Sequence, residues 1–408
     1  MIQSQDKKKC CGCTACLNIC PKSAINMVMD KEGFLYPSVN MSLCINCNMC
    51  EKVCPVGKNM DLPKPIEAIV AQYYDDTIRY NSTSGAAVNA IAEYILSLGG
   101  SVFGAALSNK VECEHIRVDE EKELKRIQGS KYVQSDLKKS FCFIKELLKQ
   151  DKYVLFVGTP CQVAGLKSYL EQNYEKLYTI DLACHGVPSP GLFQSYVDYL
   201  SKKHKSNVVN VVFRDKTYGY LSSNVKVYFE NGKTRDCRSD VKTFTHMMFN
   251  GLSLRPSCYD CFFKTKGRIS DLTLFDCAMV KLYAPQMDDD KGTTSILIQS
   301  KKGKDILSNP NVIKKIKYFQ VDPDELISTE GTMIINSATM NSKRAVFFED
   351  FEIMSYESLC KKWIPRSLKM IVGNVVKKTL WITGPVGKKM IMFNKSQSIK
   401  QYKNRYNK

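Results

Sequence analysis

Apolar and polar positions along residues 68–182 follow two distinct patterns. Short continuous apolar runs are typical of buried strands, and they occur in "AIVAQYY", "SVFGAAL", "YVLFVG" and "LYTIDL". The stretches between them space their apolar residues as a helix does, as in "AAVNAIAEYILSL", "DLKKSFCFIKELL" and "QVAGLKSYLEQ". Strands alternating with helices predict an α/β domain with a partly parallel sheet. Further on, "NVKVYFENGKTRDCR" predicts a hairpin turning at Asn231-Gly232, so the predicted fold class is mixed α/β, or α+β.

A second hairpin is predicted nearer the amino terminus, where "AINMVMDKEGFLYPSV" alternates apolar residues around Lys31-Glu32-Gly33. It lies between two cysteine motifs of identical spacing, C-x2-C-x2-C-x3-C, each followed by proline. This is the pattern of bacterial ferredoxins that hold two [4Fe–4S] clusters. The first cysteine motif consists of Cys10, Cys13, Cys16 and Cys20, and the second cysteine motif of Cys44, Cys47, Cys50 and Cys54.

In this pattern the fourth cysteine of each motif binds the cluster of the other motif. Cluster 1 is therefore expected on Cys10, Cys13, Cys16 and Cys54, and cluster 2 on Cys44, Cys47, Cys50 and Cys20. Cys11 falls outside the register. Zinc sites or a disulfide framework are the alternatives. We disfavour zinc because its sites seldom need eight thiolates in this spacing, and disulfides because no export signal is visible.

These patterns divide the chain into three predicted parts. Residues 1–58 form a ferredoxin module, and residues 66–345 form a larger α/β domain with an amino-terminal part (66–150) and a carboxyl-terminal part (151–345). Between them, "GKNMDLPKPIE" is predicted to be a linker, stiffened by Pro63 and Pro65. Residues 346–408 form a basic carboxyl-terminal extension.

Composition supports a globular protein in a reducing compartment. The 408 residues suffice for about two or three domains, and 44% of them are hydrophobic, enough for a sizeable core. The start, "MIQSQDKKKC", shows no signal peptide, and no run of about 18 apolar residues predicts a membrane span. Eighteen cysteines without export indicate metal chemistry in the cytoplasm.

The net charge of +18 is concentrated at the carboxyl end, where residues 341–408 hold 15 Lys and Arg against 4 Asp and Glu. A solvated, loosely packed end is the simplest interpretation. The sharper hypothesis is peripheral contact with anionic lipid at the inner membrane face, or with an acidic partner. We do not expect nucleic-acid binding, because no recognition motif accompanies the charge. The lysine pairs that would form the membrane contact are Lys361, Lys362, Lys377, Lys378, Lys388 and Lys389.

Three turns follow predicted strands and precede predicted helices: "STSG", "GTPCQ" and "ACHGVPSP". Helix starts at the carboxyl ends of strands present free N–H groups, which suit phosphates. Ordinary helix capping explains any one of these turns, but three of them, two with cysteine, favour a ligand site. Neither GxGxxG nor GxxxxGK[ST] is present, so a Rossmann or P-loop enzyme is disfavoured.

The order "STSG", "QGSKYVQS", "VLFVGTPCQVAGL", "DLACHGVPSP", "FRDK", "LRPSCYDC", "SDLTLFD" resembles the coenzyme F420 hydrogenase/dehydrogenase beta subunit family, in its bacterial branch with a fused two-cluster ferredoxin. The resemblance covers about residues 1–345. It implies an iron–sulfur flavoprotein that binds FAD in the larger α/β domain. The residues that the resemblance assigns to the flavin site are Ser82, Thr83, Ser84, Gly85, Gly129, Ser130, Lys131, Tyr132, Val133, Gly158, Thr159 and Pro160.

Two stretches depart from that family. Many relatives carry Gly-Asp-Phe-Trp where this chain has Phe275-Asp276-Cys277-Ala278, so a large aromatic residue on the substrate side of the flavin is missing here. The usual double glycine after the serine-rich turn is Gly85-Ala86 here.

A third [4Fe–4S] cluster is predicted on four further cysteines, called here the third cysteine set. Cys161 and Cys184 each follow a buried strand, and Cys258 and Cys261 form a C-x2-C pair that lets two thiolates reach one metal site. Relatives carry cysteine in the same phrases. The alternatives are a structural zinc or four unrelated thiols.

Iron–sulfur clusters transfer single electrons whereas hydride chemistry moves two, so a flavin is the natural converter between them. The first hypothesis is a ferredoxin-fused flavin reductase. It would link an external one-electron carrier, such as a ferredoxin, to a small-molecule substrate or a coenzyme F420-like hydride carrier. The alternative is an electron-transfer subunit with no substrate of its own that docks onto a larger redox enzyme. The sequence identifies no catalytic residue.

Overall fold

The computed structural model describes residues 2, 6–58, 62–222, 224–236 and 240–364. The strands are β1 (Ile25–Met29), β2 (Leu35–Val39), β3 (Glu67–Tyr73), β4 (Ser101–Leu107), β5 (Cys113–Val118), β6 (Val154–Gly158), β7 (Leu177–Leu182), β8 (Val208–Asp215), β9 (Asn224–Phe229), β10 (Thr234–Asp236), β11 (Leu272–Asp276), β12 (Thr294–Ile298) and β13 (Ile316–Val321).

The α-helices are α1 (Ala15–Ile19), α2 (Met49–Lys52), α3 (Asp76–Asn81), α4 (Ala87–Ser97), α5 (Ser140–Lys149), α6 (Pro160–Leu170), α7 (Pro190–His204), α8 (Thr243–Phe249), α9 (Lys301–Ser308), α10 (Pro310–Ile313), α11 (Pro323–Thr329), α12 (Thr332–Ile335), α13 (Arg344–Ile353) and α14 (Tyr356–Trp363). Short 3-10 helices span Glu121–Arg126, Tyr220–Ser222, Pro256–Cys258, Val280–Leu282 and Pro285–Met287.

The largest sheet of the described residues has eight strands in the order β13-β3-β12-β11-β7-β6-β4-β5. Strands β11, β7, β6 and β4 are parallel, and β3 has the same direction because β12 pairs with both β3 and β11 in antiparallel register. Five strands therefore end at one edge of the sheet, called here the carboxyl edge. The partly parallel sheet that the sequence predicts is confirmed.

Both predicted hairpins are also confirmed. Strands β1 and β2 pair with Met29 opposite Leu35, and β9 pairs with β10 across a turn in which Gly232 adopts a φ of +76°. That left-handed conformation explains the glycine, which adopts it without a Cβ clash. Together with β8, the second hairpin forms an antiparallel sheet in the order β10-β9-β8.

Helices cover both faces of the large sheet. On one face, α4, α9 and α10 pack against side chains such as Leu155 and Ile296. On the other face, α5 and α6 pack against Phe103 and Phe156, and α11 covers the far end. Strands such as β6 and β12 are buried along their whole length because both faces are covered, and this burial accounts for their continuous apolar sequences.

The amino-terminal module shares its cores with the larger domain. Cys13, Ala15 and Val53 belong to the cluster around α5 and α6, while Phe34 and Tyr36 pack among α7, α8 and the sheet formed by β8 and β9. Salt bridges add to this contact, among them Arg344 with Glu32. Among the described residues, no helix has the length and apolar character needed to cross a bilayer.

Candidate functional site

Both cysteine motifs place left-handed residues between their cysteines. In the first motif Gly12 and Thr14 have φ values of +71° and +60°, and in the second the equivalent Asn46 and Asn48 have +54° and +57°. Each motif then enters a short helix, α1 or α2. Left-handed residues turn the backbone sharply, so each motif folds back on itself between its cysteines.

The thiols that meet come from both motifs, as the ferredoxin pattern predicts. Burial and, after it, the neighbouring thiolate of Cys10 raise the pKa of Cys16 to about 12, and Cys54 acts in the same direction. Burial also raises the pKa of Cys54, and the Cys10 thiolate acts in the same direction. The four expected ligands of cluster 2 line one surface pocket, and they are Cys20, Cys44, Cys47 and Cys50.

The third cysteine set is assembled where two loops pair. Residues 186–189, after β7, run antiparallel to residues 253–255, with the Arg255 N–H donating to the Val187 carbonyl at 2.9 Å. The Val187 N–H also points at the Sγ atom of Cys258, 3.5 Å away. Cys161 lies in the first turn of α6, where a capping box between Thr159 and Gln162 fixes the helix start.

The electrostatic effects of these four thiols on one another indicate that they are neighbours. Burial raises the pKa of Cys258, and the thiolates of Cys184, Cys161 and Cys261 raise it further. Burial likewise raises the pKa of Cys184 to about 11, with smaller effects from Cys161 and Cys261.

In the part of the chain that the structure describes, no three Cys, His, Asp or Glu side chains converge tightly enough for a single metal ion. That finding concerns single ions. A cubane cluster binds one thiolate at each of four irons, so its ligands are more widely spaced than those of one ion.

The first cysteine motif lies directly on the helix that carries Cys161. A Cβ atom built on Gly165 of α6 would lie 2.8 Å from the Cys13 Cβ, so only glycine permits this approach. Cys11, which the spacing leaves without a cluster, makes side-chain contacts with both Cys13 and Cys161. It therefore lies between the cluster 1 site and the third cysteine set.

The residues that the resemblance assigns to the flavin site all lie along the carboxyl edge. The Ser130 N–H donates to the Thr83 Oγ1 at 2.6 Å, and the Gly85 N–H donates to Thr294 Oγ1 at 2.8 Å. Serines 82 and 84 belong to the same turn. These bonds join the "STSG" turn to the "GSKYV" segment and to the start of β12.

The third flavin segment, Gly158 to Pro160, ends β6 and begins α6, further along the same edge from β3. Residues 129–135 connect the two ends, since the Gln134 N–H donates to Pro188 and the Gln162 side chain donates to Ser135 at 3.0 Å. Lys131, Tyr132 and Val133 belong to this connecting segment. Burial lowers the pKa of Lys131 to about 8.

The departure at Gly85-Ala86 has a structural explanation. A Cβ on Gly85 would lie 2.2 Å from the Ala71 carbonyl oxygen, so this glycine is required. Ala86 has a φ of +62°, the left-handed conformation for which the usual second glycine is suited. Ala86 is therefore an alanine in a strained, left-handed position that favours glycine.

Sequence reasoning missed a buried lysine beneath the "STSG" turn. Lys216 Nζ donates to the carbonyl oxygens of Arg79 at 2.6 Å, Ser84 at 2.9 Å and Lys291 at 2.7 Å. Burial, with the nearby Arg79 charge, lowers the pKa of Lys216 to about 7. The only signal for it in the sequence is the phrase "FRDK", which by itself indicates no role.

Ionisable groups surround the second departure, Phe275-Asp276-Cys277-Ala278. Arg214 lies 3.3 Å from the Asp276 carboxylate, and the Glu330 carboxylate accepts a hydrogen bond from the Met279 N–H. Burial raises the pKa of Glu330 to about 7. This side of the site is therefore polar where relatives have a large aromatic side chain.

Two of the lysines predicted to contact a membrane form ion pairs with the protein itself. Lys361 pairs with Glu357 at 3.0 Å, and Lys362 pairs with Asp350 at 2.6 Å. The other four, at positions 377, 378, 388 and 389, lie outside the described residues.

Comparisons with known proteins agree with this organisation. Residues 151–324 match the family described as the C terminus of the coenzyme F420 hydrogenase/dehydrogenase beta subunit, and residues 9–58 match a 4Fe-4S dicluster domain. An uncharacterized ferredoxin from Methanocaldococcus jannaschii is 36% identical over 52 residues, which are 13% of this chain and 66% of that protein. The matches confirm the family resemblance and the ferredoxin module. Residues 82–85 and 129–133 lie outside both matched ranges.

One solved structure is also similar, a chain in the xenon-derivatised F420-reducing [NiFe] hydrogenase complex from Methanosarcina barkeri. The identity is 16% and the TM-score is 0.45, over 75% of this chain and 94% of that chain.

Proposed function

Because the chain joins a 4Fe-4S dicluster domain to the carboxyl-terminal domain of the coenzyme F420 hydrogenase/dehydrogenase beta subunit family, we propose that it is an iron–sulfur flavoprotein oxidoreductase. It passes electrons between an external one-electron carrier, such as a ferredoxin, and a small organic hydride acceptor of the coenzyme F420 type. The observation that carries this proposal is the contact of the first cysteine motif with α6, through Cys13 on Gly165 and Cys11 on Cys161.

This contact gives the electrons a short route. Cluster 2 lies at the surface, where Cys47 is exposed and a carrier can approach it. Cluster 1 lies inside, against the helix that begins at the carboxyl edge. The proposed order is external carrier, cluster 2, cluster 1, third cysteine set and then the carboxyl edge.

FAD is the proposed cofactor at that edge, where it would exchange single electrons with the clusters and electron pairs with the hydride acceptor. Supporting this, the "STSG" turn and the "GSKYV" segment are hydrogen-bonded to each other, and the buried Lys216 holds the turn in place. Within the "GSKYV" segment, the half-buried Lys131 adds positive charge, which suits a diphosphate.

For the third cysteine set we propose a [4Fe–4S] cluster held by Cys161, Cys184, Cys258 and Cys261. The mutual effects of these thiols on one another's pKa support a shared site, and so does its position next to the first cysteine motif. A structural zinc is the competing assignment, and metal analysis separates the two.

The second candidate function is an electron-transfer subunit without its own substrate, docked onto a larger redox enzyme. The observation that favours it is the stretch Asp276-Cys277-Ala278. It lacks the aromatic residue that many relatives carry on the substrate side of the flavin.

Anaerobic purification and cluster reconstitution, followed by iron, sulfide, zinc and flavin analysis, test these proposals together. The oxidoreductase predicts about twelve irons and one flavin per chain, whereas about eight irons with one zinc would make the third cysteine set structural. Absence of flavin binding, with the clusters intact, would leave the electron-transfer subunit as the function.

We place the protein in the cytoplasm, and we propose that its basic end contacts anionic lipid at the inner membrane face. The control for the membrane proposal is a second set of vesicles made of neutral lipid. Sedimentation with anionic vesicles should weaken sharply as salt is added, since surface charges are screened over about 10 Å at 0.1 M salt. Equal binding to neutral vesicles would refute an electrostatic contact.

A further inference from the structure

Arg255 is a fully buried cation beside the first cysteine motif, with 0% of its surface exposed. Its Nε donates to the Cys10 carbonyl at 2.7 Å, and its Nη1 donates to the Gln134 side chain at 2.9 Å. Its Nη2 donates to the Leu35 carbonyl at 3.0 Å and lies 3.5 Å from the Cys10 Sγ. The guanidinium also stacks on Tyr36, 4.1 Å from the ring centre.

None of these partners is a carboxylate, and no ion pair among the described residues includes Arg255. A buried charge without an opposite charge is strongly destabilising. The Cys10 sulfur, 3.5 Å from the Arg255 Nη2, is the neighbour that supplies one when it is a thiolate bound to iron.

A second buried arginine, Arg344, has the carboxylate partner that Arg255 lacks. Arg344 is 8% exposed, and it forms a two-pronged ion pair with Glu32, at 2.9 and 2.6 Å. It stacks on Phe348 much as Arg255 stacks on Tyr36. The two arginines thus share burial and aromatic stacking. They differ in their anionic neighbour, which is a carboxylate for Arg344 and a cysteine sulfur for Arg255.

We propose that Arg255 is the built-in counter-charge of cluster 1 and raises the reduction potential of that cluster. This inference rests on the iron–sulfur part of the proposed function and not on the flavin. Reduction of a cluster held there would add one electron, supplied by the external carrier through cluster 2, with no bond made or broken and no proton moved. The added negative charge is stabilised by a fixed cation 3.5 Å from a ligand sulfur, and hydrogen bonds to cluster sulfurs act in the same direction.

Arg255 also connects cluster 1 to the third cysteine set. The Cys258 N–H donates to the Arg255 carbonyl at 2.9 Å, so the arginine and a ligand of the third set share one turn. The cation therefore lies between the donor and the acceptor of the proposed internal electron transfer. Arg255 is a positioning residue in this scheme, since it acts through the cluster and touches no substrate.

The test is an anaerobic redox titration of the full-length reconstituted protein, followed by electron paramagnetic resonance. In Arg255→Met, one cluster wave should shift to lower potential by at least about 59 mV, which is a tenfold change in the one-electron equilibrium. Arg255→Lys keeps the charge and should shift the wave less. Arg344→Met is the matched control and should leave every wave in place.

Two results would overturn the proposal: Arg255→Met with full iron and unshifted waves, or Arg255→Lys shifted as far as Arg255→Met. If Arg255→Met does not retain its iron, Arg255→Gln is the second neutral variant, and it keeps amide donors towards the same carbonyl groups. A wild-type protein that assembles no cluster would instead contradict the proposed function, so the two failures are distinguishable.

Discussion

The two cysteine motifs have the same spacing and the same left-handed backbone, yet their surroundings differ completely. Gly12 and Cys13 of the first motif are buried, whereas the equivalent Asn46 and Cys47 of the second motif are exposed. The residue after the first cysteine is Cys11 in one motif, in contact with Cys161, and Ile45 in the other, with 57% of its surface exposed. The spacing thus defines the ligands of a cluster, while the packing around it defines which cluster faces outward.

The largest expected effect comes from removing one ligand from each motif. Cys13→Ser should lower the free energy of unfolding by roughly 3 kcal/mol more than Cys47→Ser does, because it disrupts a buried packing contact as well as a cluster. Denaturant unfolding under anaerobic conditions measures the difference, with iron analysis showing that each variant has lost about four irons. Equal stability of the two variants would mean that cluster 1 is not part of the domain interface.

The second prediction concerns the left-handed positions at Gly12 and Asn46. In Gly12→Ala, the added Cβ would lie 2.5 Å from the Gln134 side chain and 3.0 Å from Arg255. We expect a loss of roughly 2 to 4 kcal/mol, which combines left-handed strain with overpacking. Asn46→Ala carries the strain, about 1 kcal/mol, and loses only the contact of the Cys44 Sγ with the Asn46 Oδ1 at 3.7 Å. Comparable losses of stability from both variants would show that the side chains around Gly12 move aside at little cost in free energy.

Much of the fold could be predicted from the sequence, because it depends on local patterns. The cysteine spacing predicts both clusters, and apolar runs such as "YVLFVG" and "LYTIDL" correspond to β6 and β7. The prediction is less accurate at the ends of helices and strands. The predicted helix "DLKKSFCFIKELL" begins only at Ser140, because Lys138 is left-handed and Asp136 pairs with Cys113 and His115 of β5.

Long-range contacts explain what the sequence could not predict. In the sequence Arg255 is only one residue of "LRPSCYDC", and its contact with Cys10 spans 245 positions along the chain. The direction in which the ferredoxin module faces follows from Gly165 and Gln134, which show no motif of their own. A pattern of neighbours in sequence contains no information about such contacts, since they are selected by packing in three dimensions.

The third prediction is kinetic. A water-soluble iron chelator should remove iron in two phases, and the first phase should release about four irons several-fold faster than the second. The exposed cluster 2 accounts for the fast phase because its ligands line a surface pocket. The iron release is followed by absorbance of the chelate. Cys47→Ser, which lacks cluster 2, is the control and should lack the fast phase; a fast phase that persists in this variant would contradict the assignment.

The smallest expected effect on stability, under about 0.5 kcal/mol, comes from a surface change beside cluster 2. Met41, Leu43, Ile45 and Met49 expose apolar side chains there, and such a patch suits the docking of a protein carrier. Ile45→Glu should therefore slow reduction by a ferredoxin about fivefold through lost apolar contact, while reduction by a small viologen is unchanged. Ile353→Glu is the matched control, since Ile353 is 79% exposed at the end of α13, outside the ferredoxin module. If both variants slow the ferredoxin equally, the effect is one of net charge, and the apolar patch around cluster 2 is not the entry point for electrons.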